Sequence, residues 1–467
     1  FAGTLRLMQS DGGLCAPEVA RAFPIRLLES GPAGGALATV LFARAAGLPD
    51  ALAFDMGGTT AKACLIENGR AEVAPMMEAA RVHRFKRGSG LPIRAPVVDM
   101  IEIGAGGGSI AWLDALGLLK VGPDSAGSDP GPACYGRGGD APTVTDADLV
   151  LGYLDPGYFL GGRMMLDLDV ARAAIERDVA GPLGIDVLQA AWGIHQVVNE
   201  NMANAARIHA IERGKDPRAY PVFAFGGAGS GPACRGPRSP QSPRPICPLC
   251  GGVTSTVGFL AAPLAFDFVR SYYGRLAALD WSHVNDLLDE MEQEGRRILG
   301  AAGVALDEIT VARVAELRYA GQGHEIAVPL PDGLLADASV AGLQVAFEDV
   351  YRSLFERIPS GNPVEALSWR VTVAGPRPGL PLDRLASAID AAPDPAAAIK
   401  GERPIYLPEE QALVPVPVYD RYRLAPGGAF SGPAVVEERE STVILGPGAR
   451  VRVDELLSLV VEESGRA

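Results

Sequence analysis

A glycine- and threonine-rich loop joins two apolar strands early in the chain, and this arrangement limits the folds that the sequence can adopt. Residues 51–56 read Ala-Leu-Ala-Phe-Asp-Met and predict a strand, which runs directly into the loop Gly-Gly-Thr-Thr at residues 57–60. Residues 61–66 predict a second strand, and an Asn-Gly pair at 68–69 predicts a tight turn into a third strand over residues 71–74. The loop therefore belongs to a hairpin and does not open a helix. A Walker-type P-loop or a dinucleotide-binding fingerprint needs a helix directly after its glycines, so both are excluded here.

The functional interpretation of this hairpin is phosphate binding through backbone N–H groups and threonine hydroxyls, because glycine allows a close approach and a positive φ. Asp55, at the end of the first strand, suits a hydrated Mg²⁺ ion or an attacking water. The alternative is an ordinary Gly-Gly turn between two strands. The phosphate hypothesis assigns four loop residues to the ligand: Gly57, Gly58, Thr59 and Thr60.

Two further glycine loops also follow predicted strands. Residues 104–109 read Gly-Ala-Gly-Gly-Gly-Ser after a predicted strand over 97–103, which carries Asp99. Residues 226–231 read Gly-Gly-Ala-Gly-Ser-Gly after a buried-type strand over 221–225. Three glycine loops that each follow a strand are a more specific signal than one. For the second loop, simple packing is the alternative to a functional role.

The clearest predicted helix covers residues 187–213, with Asp186 as its N-cap and an apolar stripe at three- and four-residue spacing. His195 and His209 lie 14 residues apart on this helix and are interpreted as structural or surface residues, not as a metal pair. The small residues at 29–35 predict a tight turn, followed by a helix over 36–46.

Composition and charge exclude several classes of protein. The chain has 467 residues and a net charge of −14, which argues against a nucleic-acid-binding surface. No apolar run approaches the ~20 residues that a membrane-spanning helix needs. Six scattered cysteines fit reduced thiols and predict a cytoplasmic protein. The chain begins with Phe1, and we expect it to be a fragment that lacks an N-terminal part.

The pattern divides the chain into three predicted domains, at residues 1–266, 267–368 and 369–467. The last of these is β-rich, carries no recognisable chemistry and is interpreted as structural or partner-binding. A proline-rich stretch over 234–245 resembles neither flank and is interpreted as a local frameshift artefact. Cys247 and Cys250 form one C-x-x-C pair without a second, which is weak evidence for a structural zinc site.

Taken together, the motifs at residues 30–35, 54–62, 103–112, 121–127 and 318–325 resemble the hydantoinase A, 5-oxoprolinase and acetone carboxylase β-subunit family. The resemblance implies an α/β fold with an ATPase lobe of the actin/sugar-kinase type, incomplete at its N-terminus, and a β-rich C-terminal domain. Residues 55–60 then correspond to the second phosphate loop and residues 226–229 to the loop against the nucleotide. The resemblance implies that the first phosphate loop belongs to an N-terminal lobe, which we expect this chain to lack.

The resemblance implies a subunit of an ATP-dependent cyclic-amide hydrolase, which opens hydantoin or 5-oxoproline rings after phosphorylation of the amide oxygen. Implied partners are a cyclic amide, Mg²⁺ and a hydantoinase B-type (alpha) subunit. Asp55 is the expected metal ligand; many family members carry a second Asp at the position of Lys62. Asp55, Asp99 and Lys62 are the expected catalytic residues, and the expected nucleotide-binding residues are Gly57, Gly58, Thr59, Thr60, Gly106, Gly107, Gly226, Gly227 and Gly229. The alternatives are an ATP-dependent ketone carboxylase β-type subunit and an inactive fragment that acts at most as a subunit scaffold.

Overall fold

The computed structural model of the chain describes residues 3–79, 89–228, 244–355, 361–382, 392 and 394–463. It divides into two compact units that are each assembled from separate stretches of sequence. The smaller unit combines Phe1–Ser30 with Ala261–Gly379, and the larger unit combines Gly31–Leu260 with Leu380–Ala467. The predicted boundaries at 266/267 and 368/369 fall inside two strands of the smaller unit, Ala265–Arg275 and Val364–Ala374. These strands pair with each other across the sequence, which local composition does not reveal.

A mixed central sheet organises the larger unit. Its strands run in the order Ile101–Ile103, Ala61–Glu67, Ala51–Met56, Val222–Phe225, Pro245–Cys247, Leu459–Glu463, Ala449–Val453 and Ala429–Ser431, with Arg70–Ala71 added to the second strand. The first three strands are antiparallel neighbours. The next two lie parallel to Ala51–Met56, and the last three are antiparallel again.

The predicted hairpin is confirmed. Asp55 lies opposite Lys62, and the turn at Asn68 and Gly69 has φ values of 51° and 66°. Side chains of Ala51–Met56 alternate between two apolar cores, so both faces of this strand are covered, as expected for a strand at the centre of an α/β sheet.

The helices of the larger unit are Ser30–Ala45, Val144–Val150, Leu168–Ile175, Gly181–Leu183, Val187–Ile211 and Thr254–Ala261. The predicted long helix is confirmed as Val187–Ile211, and Asp186 accepts the N–H of Gln189 at 2.9 Å. The predicted turn at 29–35 is wrong, because the helix begins at Ser30. Glycines allow the helices Ser30–Ala45 and Thr254–Ala261 to pack closely, because a Cβ on Gly258 would lie 2.6 Å from the carbonyl carbon of Gly34.

Smaller sheets complete the larger unit. Two of its hairpins pair Ser109–Leu113 with Leu119–Ser125 and Met77–Ala79 with Leu91–Ile93, and Val73–Ala74 pairs with Val97–Val98. A four-stranded sheet has the order Ile399–Leu407, Ala412–Asp420, Ala434–Glu437 and Thr442–Leu445.

The smaller unit is built on a four-stranded antiparallel sheet in the order Ala265–Arg275, Val364–Ala374, Thr310–Tyr319 and Ile326–Pro329. Its helices are Pro17–Ala22, Trp281–Ala301 and Val340–Phe355, and a short hairpin pairs Leu7–Met8 with Leu14–Cys15. The apolar face of Trp281–Ala301 packs on the sheet around Trp369. In the part of the chain that the structure describes, no helix is long and apolar enough to cross a membrane.

Three predicted features lie wholly or largely outside the described residues. They are Gly229, the end of the third glycine loop at 230–231, and the proline-rich stretch up to residue 243. The chain resumes in the strand Pro245–Cys247 of the central sheet.

Candidate functional site

The three glycine loops meet at one edge of the central sheet. Since Ala51–Met56 and Val222–Phe225 are parallel neighbours, the loops that follow them emerge side by side. The N–H of Ala228 donates to the carbonyl of Met56 at 3.1 Å. The second loop rests on the first, because the N–H groups of Gly107 and Gly108 donate to the carbonyls of residues 57 and 58 at 3.1 and 2.6 Å.

Two of the glycines are required by these close approaches. A Cβ on Gly106 would lie 2.6 Å from the carbonyl oxygen of Gly58. Gly226 has a φ of +93°, and its Cβ would lie 2.5 Å from Oδ1 of Asp55 and still closer to the carbonyl oxygen of Met56. Side chains at these two positions would push the loops apart.

Gly57 and Gly58 are different, because they border open space. A Cβ on Gly58 would meet no atom within 4 Å, and one on Gly57 would meet just the carbonyl oxygen of Thr60 at 4.0 Å. Gly58 and Thr59 are exposed, and no acceptor among the described residues receives a hydrogen bond from their N–H groups. The tip of the first loop therefore offers unpartnered backbone donors to a ligand, as anion-binding loops do.

Asp55 lies under the first and third loops. The positive charge of Lys62 and the Ser255 hydroxyl both favour the ionised form of its carboxylate and lower its pKa. Burial outweighs both effects and raises the pKa of Asp55 to about 6. Lys62 also donates to the hydroxyl of Thr60 and forms an ion pair with Glu102 at 2.9 Å. The hairpin thus places a half-buried carboxylate, Asp55, and a cation, Lys62, behind the loop.

The residues fit a hydrated Mg²⁺ with phosphate oxygens better than a fully protein-held metal. Among the described residues, no group of three or more His, Cys, Asp or Glu side chains could hold a metal ion. Asp55 would supply one carboxylate, and water and phosphate would supply the remaining ligands, which is the usual manner of Mg²⁺ binding. Cys247 and Cys250 join no metal cluster within the described ranges.

Asp99 is the predicted site residue that the structure does not bring to these loops. It receives a hydrogen bond from Nε of Arg213 at 2.9 Å, beyond the end of the long helix, and Arg213 also forms an ion pair with it. Asp99 is close to the second glycine loop in sequence, but the strand Ile101–Ile103 lies between the two and separates them in space.

A cavity of about 200 Å³ opens beside the loops. Backbone of the three loops forms one wall, with Gly58, Gly107, Gly227 and Ala228. A second group of lining residues is apolar and aromatic, and its members are Tyr135, Leu154, Tyr158, Phe159 and Leu160. A third wall is the turn at residues 437–442, from the C-terminal part to which the sequence assigned no chemistry.

A buried ion pair holds this C-terminal turn against the third loop. Nε of Arg421 lies 3.3 Å from Oε1 of Glu438, and both side chains are buried. The other oxygen of Glu438 accepts the N–H of Gly251 at 2.7 Å, and the carbonyl of Gly251 accepts the N–H of Gly226 at 2.8 Å. The C-terminal part therefore helps to position the loop above Asp55.

The helix Val144–Val150 supplies a further carboxylate that the sequence analysis missed. Thr143 and Asp146 form a capping box at its start, and the Thr145 hydroxyl donates to the carbonyl of Gly107 at 2.8 Å. One turn on, Asp148 reaches the cavity, and its Oδ1 lies 2.7 Å from Nδ1 of His195. The Thr-x-x-Asp capping signal just after the glycine-rich segment was the available clue to this helix.

Glycine loops at the carboxyl ends of parallel strands, above the half-buried carboxylate of Asp55, define an α/β protein with a site built largely from backbone. Residues 1–268 match the sequence model of the hydantoinase/oxoprolinase family, and residues 277–463 match that of the hydantoinase/oxoprolinase C-terminal domain. The chain belongs to the hydantoinase/oxoprolinase family, which confirms the resemblance seen in the sequence.

Named relatives include two different kinds of enzyme subunit. The chain is 34% identical to caprolactamase subunit alpha of Pseudomonas jessenii, over 96% of this chain and 63% of that protein. It is 26% identical to the acetone carboxylase beta subunit of Xanthobacter autotrophicus, over 96% of this chain and 62% of that protein. The solved structure of the ATP-dependent caprolactamase from Pseudomonas jessenii superposes with a TM-score of 0.75 at 32% identity, over 98% of this chain and 65% of that one. The chain spans less than two thirds of the length of these relatives.

Proposed function

We propose that this chain is the nucleotide-binding part of a subunit of an ATP-dependent enzyme that opens cyclic amides. The observation that carries the proposal is the meeting of three glycine loops above Asp55, with open space over Gly57 and Gly58. The similarity to the alpha subunit of an ATP-dependent caprolactamase supports the choice of a cyclic amide as substrate. Relatives that are named as subunits support the presence of a partner subunit, and we propose that this partner is a hydantoinase B-type (alpha) subunit.

The strand order supports an ATPase lobe of the actin/sugar-kinase type. Such a lobe begins with three antiparallel strands and continues with parallel strands on the other side of the first. Here Ala51–Met56, Ala61–Glu67 and Ile101–Ile103 form the antiparallel part, and Val222–Phe225 and Pro245–Cys247 form the parallel part. Phosphate loops of this fold connect strands of hairpins, as residues 57–60 do.

Each group near the loops has a role in this proposal. The N–H groups of Gly58 and Thr59 bind phosphate oxygens, and Lys62 adds positive charge beside Thr60. Asp55 would hold Mg²⁺ or its water, and the third loop approaches Asp55 closely. ATP, when bound, supplies the phosphoryl group that turns the amide oxygen into a leaving group. Positioning and charge neutralisation are the main contributions of the protein in phosphoryl transfer.

Carboxylation of a ketone is the second candidate. The similarity to the acetone carboxylase beta subunit supports it, and the cavity of about 200 Å³ with an aromatic wall would admit a small ketone as well as a small ring. Phosphate-binding loops serve both reactions equally. The two candidates differ in whether the acceptor carries an N–H group.

Calorimetric titration with Mg-ATP tests the nucleotide site. We expect the unaltered chain to bind, and Asp55→Ala to bind at least tenfold more weakly. Asp178→Ala, at an exposed carboxylate paired with Arg177, is the matched control and should bind like the unaltered chain. Equal binding by all three proteins would contradict the role of Asp55. ATP hydrolysis by the partnered protein with ε-caprolactam, hydantoin, 5-oxoproline or acetone then separates the two candidate reactions.

A further inference from the structure

Asp148 presents a fixed carboxylate to the cavity beside the glycine loops. Its side chain is 16% exposed, and its Oδ1 lies 2.7 Å from Nδ1 of His195. The residue lines the cavity together with Gly58 and Gly107. One of its oxygens is therefore held from behind, while the carboxylate keeps further lone pairs to offer to a ligand.

The imidazole behind Asp148 is buried and oriented by aromatic rings. His195 is 2% exposed, stacks on Trp192 with ring centroids 5.5 Å apart, and meets the edge of Tyr153 at 5.1 Å. Its Nε2 has no hydrogen-bond partner in the described part of the chain. A proton on Nε2 would leave a buried donor unsatisfied and would turn the lone pair of Nδ1 towards a carboxylate oxygen. Nδ1 therefore carries a proton, and Nδ1–H donates the hydrogen bond that Asp148 accepts.

Cations already engage most other carboxylates around the cavity. Glu437 forms an ion pair with Lys400, Glu438 with Arg421, and Asp155 with Arg403. Two carboxylates of the cavity have no Lys or Arg partner among the described residues, Asp148 and Glu440. Of these, Asp148 is the one fixed by a hydrogen bond to a buried group, so its position is set before a ligand arrives.

The geometry of a lactam matches this arrangement. A small lactam ring holds its amide in the cis form, so the N–H and the carbonyl lie on the same edge of the ring. Thr145, one turn before Asp148, bonds to Gly107 of the second loop. Asp148, Gly58 and Gly107 line the same cavity, so there is room for a ring that donates its N–H to Asp148 to place its carbonyl oxygen beside the glycine loops. The cavity of about 200 Å³ is smaller than the ~300–1,000 Å³ of drug-sized sites, which suits a single small ring.

We propose that Asp148, held by His195, accepts the hydrogen bond of the ring N–H and so selects secondary lactams over ketones and N-alkylated lactams. This inference rests on the proposed function, because it takes the cavity as the place of the acceptor beside the nucleotide site. The aromatic wall covers the methylene groups of the ring. A ketone or an N-methyl lactam leaves the lone pairs of Asp148 desolvated and unmatched, and sites built around a polar contact discriminate strongly against ligands that lack it.

The test compares three ligands of one ring size in the absence of nucleotide: ε-caprolactam, N-methylcaprolactam and cycloheptanone. Saturation-transfer NMR or calorimetry gives their dissociation constants. Because a hydrogen bond to a charged group strengthens binding, we expect about tenfold or greater preference for ε-caprolactam. Asp148→Asn should reduce this preference to less than about threefold through lost lactam affinity, while the affinities of the other two ligands stay nearly unchanged.

Two further variants separate positioning from a general loss of structure. His195→Phe keeps an aromatic ring against Trp192 but removes the donor, so we expect a partial loss of the preference with an unchanged affinity for cycloheptanone. Glu440→Gln removes the other cavity carboxylate that has no Lys or Arg partner among the described residues. This variant should retain the full preference for ε-caprolactam. Circular dichroism and thermal melting of each variant verify that it is folded.

Several results would overturn the inference: no lactam binding, equal binding of the three ligands by the unaltered chain, full preference in Asp148→Asn, or loss of the preference in Glu440→Gln instead. Titration of the same preparations with Mg-ATP reports separately on the proposed function. Mg-ATP binding without lactam preference would refute the role of Asp148 and leave the nucleotide site standing. Lactam preference without Mg-ATP binding would refute the nucleotide site.

Discussion

Replacement of Gly226 by alanine should destabilise the larger unit far more than the same replacement at Gly227. Gly226 has a φ of +93°, and an added Cβ would lie 2.5 Å from Oδ1 of Asp55 and 2.7 Å from the carbonyl carbon of Met56. At Gly227 no positive φ applies, and the nearest atom, the carbonyl oxygen of Glu440, is 3.6 Å away. Two adjacent glycines thus differ in both strain and space.

The expected magnitude at Gly226 combines two costs. A non-glycine residue in the left-handed region costs roughly 1–2 kcal/mol. Forcing an extra carbon against backbone that cannot move freely costs roughly a further 1–3 kcal/mol. We therefore expect Gly226→Ala to lower the free energy of unfolding by about 3 kcal/mol, and Gly227→Ala to change it by less than about 1 kcal/mol.

Scanning calorimetry provides the assay. At roughly 2 °C per kcal/mol for a large domain, the thermal midpoint of Gly226→Ala should fall by about 6 °C. The midpoint of Gly227→Ala should stay within about 2 °C of the unaltered protein. If the two variants melt at the same temperature, the close approach of the third loop to Asp55 and Met56 is not a feature of the protein in solution.

Three further predictions concern the same region. Gly58→Ala should leave the thermal midpoint unchanged, because its Cβ meets no atom, yet weaken Mg-ATP binding in a calorimetric titration at least tenfold. Burial raises the pKa of Asp55 from 3.8 to about 6, so the folded state binds this proton more tightly than the unfolded chain. The free energy of unfolding should therefore fall by up to about 3 kcal/mol as the pH rises from about 4 to about 6. Urea titrations of Asp55→Asn over the same pH range should lack that fall. Arg421→Leu should cost roughly 3–5 kcal/mol in urea unfolding, because it leaves the buried carboxylate of Glu438 unpaired, whereas Arg177→Leu at an exposed pair should cost under about 1 kcal/mol.

The parts of the fold that the sequence predicted are those specified by neighbouring residues. The hairpin at 51–67 follows from an apolar strand, a glycine loop and an Asn-Gly turn, and its register joins residues that are close in sequence. The long helix has both its cap and its stripe in the sequence. The prediction of a turn at 29–35 was wrong because small residues suit both a tight turn and a close contact between helices. The packing partner, Gly258, decides between these two structures, and it lies far away in the sequence.

The site was predicted in part for the same reason. Asp55 and the first loop are a local motif, but Asp148 gains its importance from His195, which lies 47 residues further along the chain. The turn at 437–442 reaches the cavity through Glu438 and its contact with Gly251, 187 residues away in sequence. Asp99 shows the converse error: closeness in sequence to a glycine loop did not bring it to the cavity, and Arg213 engages it instead. Contacts of this length leave no periodic pattern.

The pairing of Pro245–Cys247 with Leu459–Glu463 has a consequence for how the protein is made. Ile246 pairs with Val460, 214 residues later, and the whole smaller-unit insertion from Ala261 to Gly379 is synthesised in between. At about 5–20 residues per second, the ribosome needs roughly 10–40 s to supply the partner strand. During that interval the nascent chain exposes an unpaired strand edge beside the glycine loops, which is a template for association with other chains. Translation speed and chaperone binding in this window should therefore influence the yield of folded protein more strongly than they would for a chain whose sheet closes locally.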